Sequence, residues 1–401
     1  MKRTVWTLGL LLVGAIAWLP SAHPQEKDKP LAPGWLSLDS SVGELDKSIA
    51  EGKSSLEKAL GIGISGYVDT GFNWSSNHPK NPRNITGRYF DKDYAKLVFN
   101  DLHLAVEKPE KDWGVGFRIS GDFGRTGELL REATLWGKTL HREPSAELRE
   151  AFLTTTIPLG EGLQVKGGLF VTTLGTEIIP NPGAYNDNIS RSFLFNFGIP
   201  LRHLGMLFSY PVHKMVGLTA GVVTGWDNPR DNNGQPSFLG GISFTPVEAF
   251  SLASNLIYGP EQTHNSGNKR FTWSNVATIK PIDPLALLVE YTYGREENVT
   301  PGGRDGRWQG LAAIASYNWT DRFNTALRGE VFEDSDGVRT AVGRDVSLAE
   351  VTVTGSYKFT KMFLGRAEVR QDWADRRFYK RGSSNTDKEQ TTFALQLIYT
   401  Y

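Results

Sequence analysis

The sequence predicts an all-β fold, a transmembrane antiparallel β-barrel of about 16 strands with a short N-terminal helical segment. Three observations predict this fold. The chain begins with a secretion signal, and between its two ends long loops alternate with short turns, as in outer-membrane barrels. Its last strand has a strict period of two, which indicates one apolar face. The residues of that face also resemble the assembly signal of outer-membrane barrels, and they are Phe393, Leu395, Leu397, Tyr399 and Tyr401.

The N-terminus has the order of a secretory signal peptide. Lys2 and Arg3 precede an apolar run over 4–19, and Pro20-Ser21-Ala22 follows. A run of about 16 residues is shorter than the roughly 20 that a membrane-spanning helix needs. The sequence therefore predicts a cleaved signal over 1–22, and an uncleaved anchor helix is the alternative.

Residues 23–60 form a predicted periplasmic segment between the signal and the barrel. Residues 23–35 are charged and rich in proline, which indicates a linker. Apolar residues then recur at helical spacing, which predicts a short amphipathic helix over 36–60 that is interrupted at Gly52. Such a helix could lie in the periplasm, self-associate or plug the barrel, and a loosely ordered extension is an equally open interpretation.

The region 61–401 is predicted to be the outer-membrane barrel. It consists of segments of strand length bounded by Gly, Pro, Asn and Asp. A β-propeller is excluded because each repeat of the chain holds two long strands, whereas a blade needs four short ones. The sixteen predicted strands are 61–75, 95–107, 112–123, 147–157, 162–173, 203–211, 215–226, 236–245, 249–259, 270–280, 284–295, 308–319, 323–333, 347–358, 362–373 and 390–401.

Charged and apolar residues alternate within these strands. Val115, Phe117 and Ile119 fall on one face of their strand, whereas Arg118 and Asp122 fall on the other. In a membrane barrel the apolar face contacts lipid and the charged face lines the lumen. Aromatic residues at strand ends predict two interfacial belts, and the belt near the long loops comprises Trp74, Trp226, Tyr258, Tyr293, Trp308 and Trp373.

Composition excludes several classes of function. The chain has no cysteine, which excludes disulfides, thiol catalysis and thiolate metal sites. Lys+Arg and Asp+Glu are both 44, and loss of Lys2 and Arg3 with the signal gives 42 − 44 = −2. Nucleic-acid binding is therefore not expected. After residue 20 there is no apolar run of 18 residues, so transmembrane helices are not expected either.

Three parts of the chain resemble the putative β-barrel porin-2, OmpL-like family of outer-membrane proteins. They correspond to the opening strand, a middle hairpin and the return from the longest loop. The resemblance covers about 60–401 and implies a pore-type barrel without catalytic residues. The segments that carry it are GISGYVDTGFNW at 63–74, EAF at 150–152, GGLF at 167–170, GTE at 175–177, SRS at 190–192 and HLGM at 203–206.

The third long loop, about 174–202, is the predicted constriction of the pore. It combines polar residues with an apolar tract over 193–197 that could pack on the barrel wall. An outside loop or a contact between subunits is the alternative. The candidate pore-lining and constriction residues are Asp69, Arg118, Asp122, Glu150, Lys166, Glu177, Asp187, Arg191, Glu290, Arg328, Glu330, Arg366, Glu368, Arg370 and Asp372.

These observations predict an outer-membrane porin of a Gram-negative-type bacterium, a passive channel for small hydrophilic solutes or ions. The expected partners are outer-membrane lipid, the barrel assembly machinery and the solutes, and a homotrimer stays open. Charges over 366–372 could supply a transverse field or simply pair along a hydrated wall. A plugged structural or adhesion barrel is the first alternative.

A barrel enzyme such as a phospholipase is the second alternative. It would need a Ser–His pair facing lipid, but the one mid-strand histidine, His103, should face the lumen. The calcium-loop-like stretch over 227–234 lacks the distal Glu of that pattern, so turn chemistry explains it better. Catalytic residues, a metal site and a cofactor are therefore not expected.

Overall fold

The computed structural model describes residues 33–110, 114–133 and 146–401, which form a closed barrel of sixteen antiparallel strands. The predicted signal peptide over 1–22 and the linker as far as residue 32 lie outside the described residues. All sixteen predicted barrel strands are present, and their bounds differ from the prediction by a few residues. A separate two-stranded hairpin lies in the last long loop.

The strands are numbered β1 to β18 in chain order, and β16 and β17 form the hairpin. Their bounds are β1 Gly63–Ser75, β2 Leu97–Lys108, β3 Gly116–Phe123, β4 Ala146–Ile157, β5 Leu163–Val171, β6 Arg202–His213, β7 Val216–Val223, β8 Ser237–Val247, β9 Phe250–Gln262, β10 Asn265–Ile282, β11 Leu285–Glu296, β12 Gly306–Asn318, β13 Phe323–Asp334, β14 Val346–Lys358, β15 Phe363–Ala374, β16 Tyr379–Arg381, β17 Asn385–Asp387 and β18 Glu389–Thr400.

The two ends of the barrel sequence close it. β1 pairs with β2 on one side and with β18 on the other, where Tyr67 lies opposite Thr400 and Trp74 opposite Phe393. Every barrel strand therefore has two neighbours, and no backbone edge is left open. The predicted role of the C-terminal strand as the closing strand is confirmed.

The side chains of β18 alternate between the two faces of the barrel wall. Leu395 and Leu397 are 44% and 49% exposed on the outside, whereas the alternate residues Gln396 and Ile398 are buried on the inside. β3 shows the same alternation, with Ile119 exposed and Asp122 buried. The apolar outer face is the one that lipid covers in a membrane barrel.

The predicted outer aromatic belt is wrong at two positions. Trp226 and Trp308 are buried inside the barrel, and their rings meet edge to face at 6.3 Å. Trp226 follows β7 in a loop, and Trp308 lies on the inward face of β12 opposite Asp334. Nearness to a long loop in sequence does not specify which face a side chain occupies, and here both indoles pack against loop residues.

The N-terminal helix α1 spans Pro33–Leu60 without a break. The predicted interruption at Gly52 is therefore wrong, because the helical backbone continues through this glycine. Tyr399 of the outer face of β18 donates a hydrogen bond to Asp46 of α1 at 2.9 Å. In the described part of the chain, the structure contains no helix with the apolar length needed to span a membrane.

A second helix, α2 (Arg125–Ala133), lies in a stretch predicted as loop. Its residues Leu129 and Leu130 are completely buried. Together with the segment 174–202 and the inner wall, α2 forms a continuous apolar cluster within the barrel. Members of this interior cluster include Leu130, Phe170, Leu174, Ile179, Phe193, Leu194, Ile199, Leu207, Val223, Leu239, Ile257, Trp308 and Phe332.

Candidate functional site

The segment 174–202 lies inside the barrel and crosses it, and we call it the inner loop. The N–H of Thr176 donates to Glu290 of β11 at 2.8 Å. Farther along, the Pro180 carbonyl lies 3.2 Å from the Tyr67 hydroxyl of β1 on another part of the wall. Because β11 and β1 are separated by several strands in the barrel order, the inner loop spans the lumen.

Wall carboxylates hold the backbone of the inner loop. Glu330 of β13 accepts the N–H groups of Phe193 and Leu194, both at 2.6 Å. Glu368 of β15 accepts those of Ile189 and Ser190 at 2.6 and 3.0 Å. Charge-assisted hydrogen bonds of this kind are about twice as strong as neutral ones, so each glutamate fixes two successive residues of the loop.

Wall guanidiniums hold the carbonyl groups of the same stretch. Arg328 donates to the Ser190 carbonyl at 2.7 Å and also pairs with Glu177 of the loop and with Glu350 of β14. Arg370 donates to the carbonyl of Arg191 at 2.7 Å. Acids and bases of the wall thus alternate as acceptors and donors for one continuous backbone segment.

Two further side chains, Asp227 and Arg339, bind the C-terminal part of the inner loop. Asp227 accepts the N–H groups of Leu201 and Arg202 at 2.7 and 2.8 Å, and burial raises the pKa of its carboxyl to about 6. The Nε of Arg339 donates to the carbonyl of Phe197 at 2.6 Å. Burial, together with the positive charge of Arg270, lowers the pKa of Arg339 to about 10.

The structure places every predicted pore-lining residue on the inner face of the wall or on the inner loop. Most of them are buried, and only Arg118, Lys166 and Asp187 keep part of their surface exposed. The predicted transverse series over 366–372 is bonded to the loop and to neighbouring strands. The buried residues are Asp69, Asp122, Glu150, Glu177, Arg191, Glu290, Arg328, Glu330, Arg366, Glu368, Arg370 and Asp372.

A second group of interior charges lies on β2, β3 and β4. Asp122 accepts from His103 at 2.8 Å and forms an ion pair with Arg149, which also reaches Asp101 at 3.3 Å. Asp101, His103 and Asp122 offer ligand atoms within 4.8 Å of one another. However, the guanidinium of Arg149 already contacts both carboxylates and lies in the place of a cation, which favours a structural ion-pair network over a metal site.

The sequence analysis missed Arg149 as an interior residue. A strict period of two would point it away from Glu150, toward lipid. A β-bulge changes the register here, because Ser120 pairs with Glu150 whereas Gly121 pairs with Leu148. The sequence offered one indication that Arg149 faces inward, because an arginine that faces lipid at the bilayer midplane destabilises a barrel by about 2–4 kcal/mol.

Access to water divides the interior into two halves. Near the short turns, inward-facing residues such as Lys166, Thr219 and Asn255 are partly exposed, and Gln164 and Ser243 are exposed. Toward the long loops, the inward-facing residues of the same strands belong to the buried interior cluster. The barrel is therefore an open funnel at its short-turn end and is packed by the inner loop at its long-loop end.

The sequence matches the profile of one protein family over residues 61–401. That family is described as "Putative beta-barrel porin-2, OmpL-like". A comparison with curated proteins found no significant match.

Solved structures with a similar fold are outer-membrane proteins. The anion-selective porin from Comamonas acidovorans has 11% sequence identity and a TM-score of 0.57, covering 85% of this chain and 99% of that chain. The outer membrane channel DcaP of Acinetobacter baumannii has 14% identity and a TM-score of 0.55, covering 85% and 97%. Salmonella typhi OmpF in complex with daunomycin has 12% identity and a TM-score of 0.55, with the same coverage. At these identities the similarity concerns the fold.

Proposed function

The chain belongs to the putative β-barrel porin-2, OmpL-like family of outer-membrane proteins, and from this premise we propose that it is a passive diffusion channel for small hydrophilic solutes or ions, with the inner loop as its constriction. The observation that carries the proposal is the backbone of residues 189–194, which is bonded to wall charges deep inside the barrel. A segment held there sets the width of any passage.

The charges of the barrel wall complement the backbone of the inner loop. Glu330 and Glu368 are buried carboxylates that receive backbone N–H groups from the loop. Without the loop inside, these carboxylates would face water or one another. Burying a charge is costly unless it is paired and hydrogen-bonded, so the wall and the loop are complementary.

We propose the outer membrane as the site of action. The signal at 1–22 would direct export and would then be cleaved. Lipid would cover the apolar outer face, and the barrel assembly machinery would recognise the closing strand. A homotrimer is a proposed assembly. A channel is favoured over the barrel enzyme because His103 is buried and bonded to Asp122 inside the barrel, where it does not face lipid.

A plugged structural barrel is the second candidate, and the interior cluster favours it. Leu194, Phe332 and Trp308 pack together at the long-loop end and are almost fully buried. The helix α1 is a weaker candidate plug, since its residue Asp46 contacts Tyr399 on the outer face of the wall.

The test is single-channel conductance of the mature protein in a planar bilayer, compared with a variant that carries both Glu330→Ala and Glu368→Ala. The double substitution leaves four loop N–H groups without their acceptors, at about 1–3 kcal/mol for each unsatisfied group. The loop should detach from the wall, and the conductance of the variant should rise severalfold above that of the wild type.

The matched control is Glu389→Ala, which removes an exposed carboxylate at the barrel rim and should leave the conductance unchanged. A correctly folded barrel that conducts in neither form would exclude the porin and favour the plugged barrel. Deleting residues 36–60 and repeating the recording tests whether α1 rather than the inner loop closes the channel.

A further inference from the structure

A polar cavity lies between the inner loop and the wall formed by β1, β2 and β18. Its volume is about 40 Å³, which is room for about three water molecules. Arg191 lines it from the loop, Asp69 lines it from β1, and Asp91 lines it from the loop between β1 and β2. Arg191 and Asp69 are both buried charges.

Arg191 has hydrogen-bonding capacity left over. Among the described residues it donates one bond, from Nη1 to the Ile189 carbonyl at 2.8 Å, and its buried Nε has no partner. The rings of Phe90 and Phe195 lie 6.0 and 5.7 Å from its guanidinium carbon. Burial lowers the pKa of Arg191, as expected for a cation that is not compensated by a direct ion pair.

The two carboxylates at the cavity, Asp91 and Asp69, differ in their ion-pair and hydrogen-bond partners. Asp91 forms an ion pair with Arg88 at 3.0 Å, although its Oδ1 has no partner. Asp69 instead accepts neutral amide hydrogens from Asn100 at 3.1 Å and Gln396 at 2.6 Å. The charges without a direct ion-pair partner are therefore one cation on the loop, Arg191, and one anion on the wall, Asp69.

Tyr67 and Pro180 form the inner end of this cavity. The Tyr67 hydroxyl donates to Asp101 at 2.7 Å and lies 3.2 Å from the Pro180 carbonyl, and its ring stacks on His103 at 5.2 Å. Two residues nearer the short turn, Ser65 is partly exposed in the funnel. The buried side chain of Tyr67, together with Pro180, thus lies between the cavity and Ser65 in the open half of the barrel.

Resting on the proposed function, we propose that the solute path passes through this cavity, that Tyr67 is its inner gate, and that Arg191 opposite Asp69 selects small zwitterionic solutes. An opposed cation and anion complement a solute that carries both charges, whereas a solute with a single charge meets attraction from one residue and repulsion from the other. A neutral solute would be attracted electrostatically to neither residue.

The first experiment is a set of reversal potentials under a KCl gradient. Arg191→Gln should shift the selectivity toward cations, Asp69→Asn should shift it toward anions, and Arg191→Lys should keep the wild-type value. The matched control is Lys214→Gln, which removes an exposed cation in a short turn outside the pore-lining set, where screening by water and salt is strong. Reversal potentials equal to that of the wild type in both Arg191→Gln and Asp69→Asn would place the path elsewhere and overturn the proposal.

The second experiment tests the gate and the solute class. Tyr67→Ala should raise the single-channel conductance severalfold, and Tyr67→Phe, which keeps the ring, should raise it much less. In proteoliposome swelling, the ratio of glycine to arabinose uptake should fall in Arg191→Gln and in Asp69→Asn. An unchanged ratio would exclude zwitterion selection.

Different results would exclude the porin function and the cavity as the solute path. If the wild type and all variants fold as heat-modifiable barrels but none conducts, including Tyr67→Ala, the porin function itself is wrong. If the wild type conducts and the cavity variants behave like it, the porin function stands and the cavity is not the path.

Discussion

Replacing Arg328 by methionine will destabilise the folded barrel by about 3–5 kcal/mol, the cost of leaving buried charges unpaired. Arg328 is completely buried, and its shortest contacts are 2.8 Å to Glu177, 2.6 Å to Glu350 and 2.7 Å to the Ser190 carbonyl. Methionine keeps much of the volume but supplies no hydrogen bond. Two carboxylates and one carbonyl then each lose a donor inside the protein.

Urea unfolding of the protein in detergent micelles measures this loss. Limited proteolysis provides a second readout, because the loop segment around Ser190 loses an anchor and should become a cleavage site. Arg304→Met is the matched control, since Arg304 is 78% exposed and lies 3.9 Å from Asp336 at the surface. Exposed pairs contribute about 0–1 kcal/mol. Equal stabilities for the two variants would contradict the assigned role of Arg328.

Replacing Gly168 by alanine will prevent the barrel from folding. Gly168 lies on β5 opposite Phe152 of β4, with a φ of 134°. A Cβ there would lie 2.7 Å from the Cα of Phe152 and would collide with the carbonyl oxygen of Ala151. The neighbouring strand cannot move away without losing its ladder of hydrogen bonds, so the clash and the backbone strain act together.

Heat-modifiability on denaturing gels measures the outcome, because a folded barrel migrates differently from the unfolded chain. Gly168→Ala should give little or no folded species after refolding into detergent. Gly302→Ala is the control, since no atom lies within 4 Å of the corresponding Cβ position. A normal yield of folded Gly168→Ala would show that the β4–β5 pair tolerates a wider spacing.

For the interior charges, the sequence pattern predicted the orientation of the side chains but not their burial. Alternation of Arg366, Glu368 and Arg370 with apolar residues predicted that all three point inward, and they do. The pattern could not predict that these groups are buried, because burial depends on the inner loop, whose residues are remote in sequence. Arg370 and the Arg191 carbonyl are separated by 179 positions in the chain.

Loop residues were the least predictable part of the candidate site. Arg88, Phe90 and Arg339 lie in connections without a hydrophobic period, and their positions depend on contacts with other loops. The helix α2 was missed for a related reason. It is nine residues long, which is too short to be stable in isolation, and burial of Leu129 and Leu130 is what favours it.

The sequence by itself predicted the barrel: about sixteen strands, their approximate bounds, the apolar outer face and closure of the last strand on the first. These features follow from side-chain alternation and turn residues, which act over a few positions and are visible in any single strand. The tertiary structure alone decided the site. The inward path of the inner loop, the bulge that brings in Arg149 and the cavity between Arg191 and Asp69 arise from long-range packing and charge pairing, and no local period encodes them.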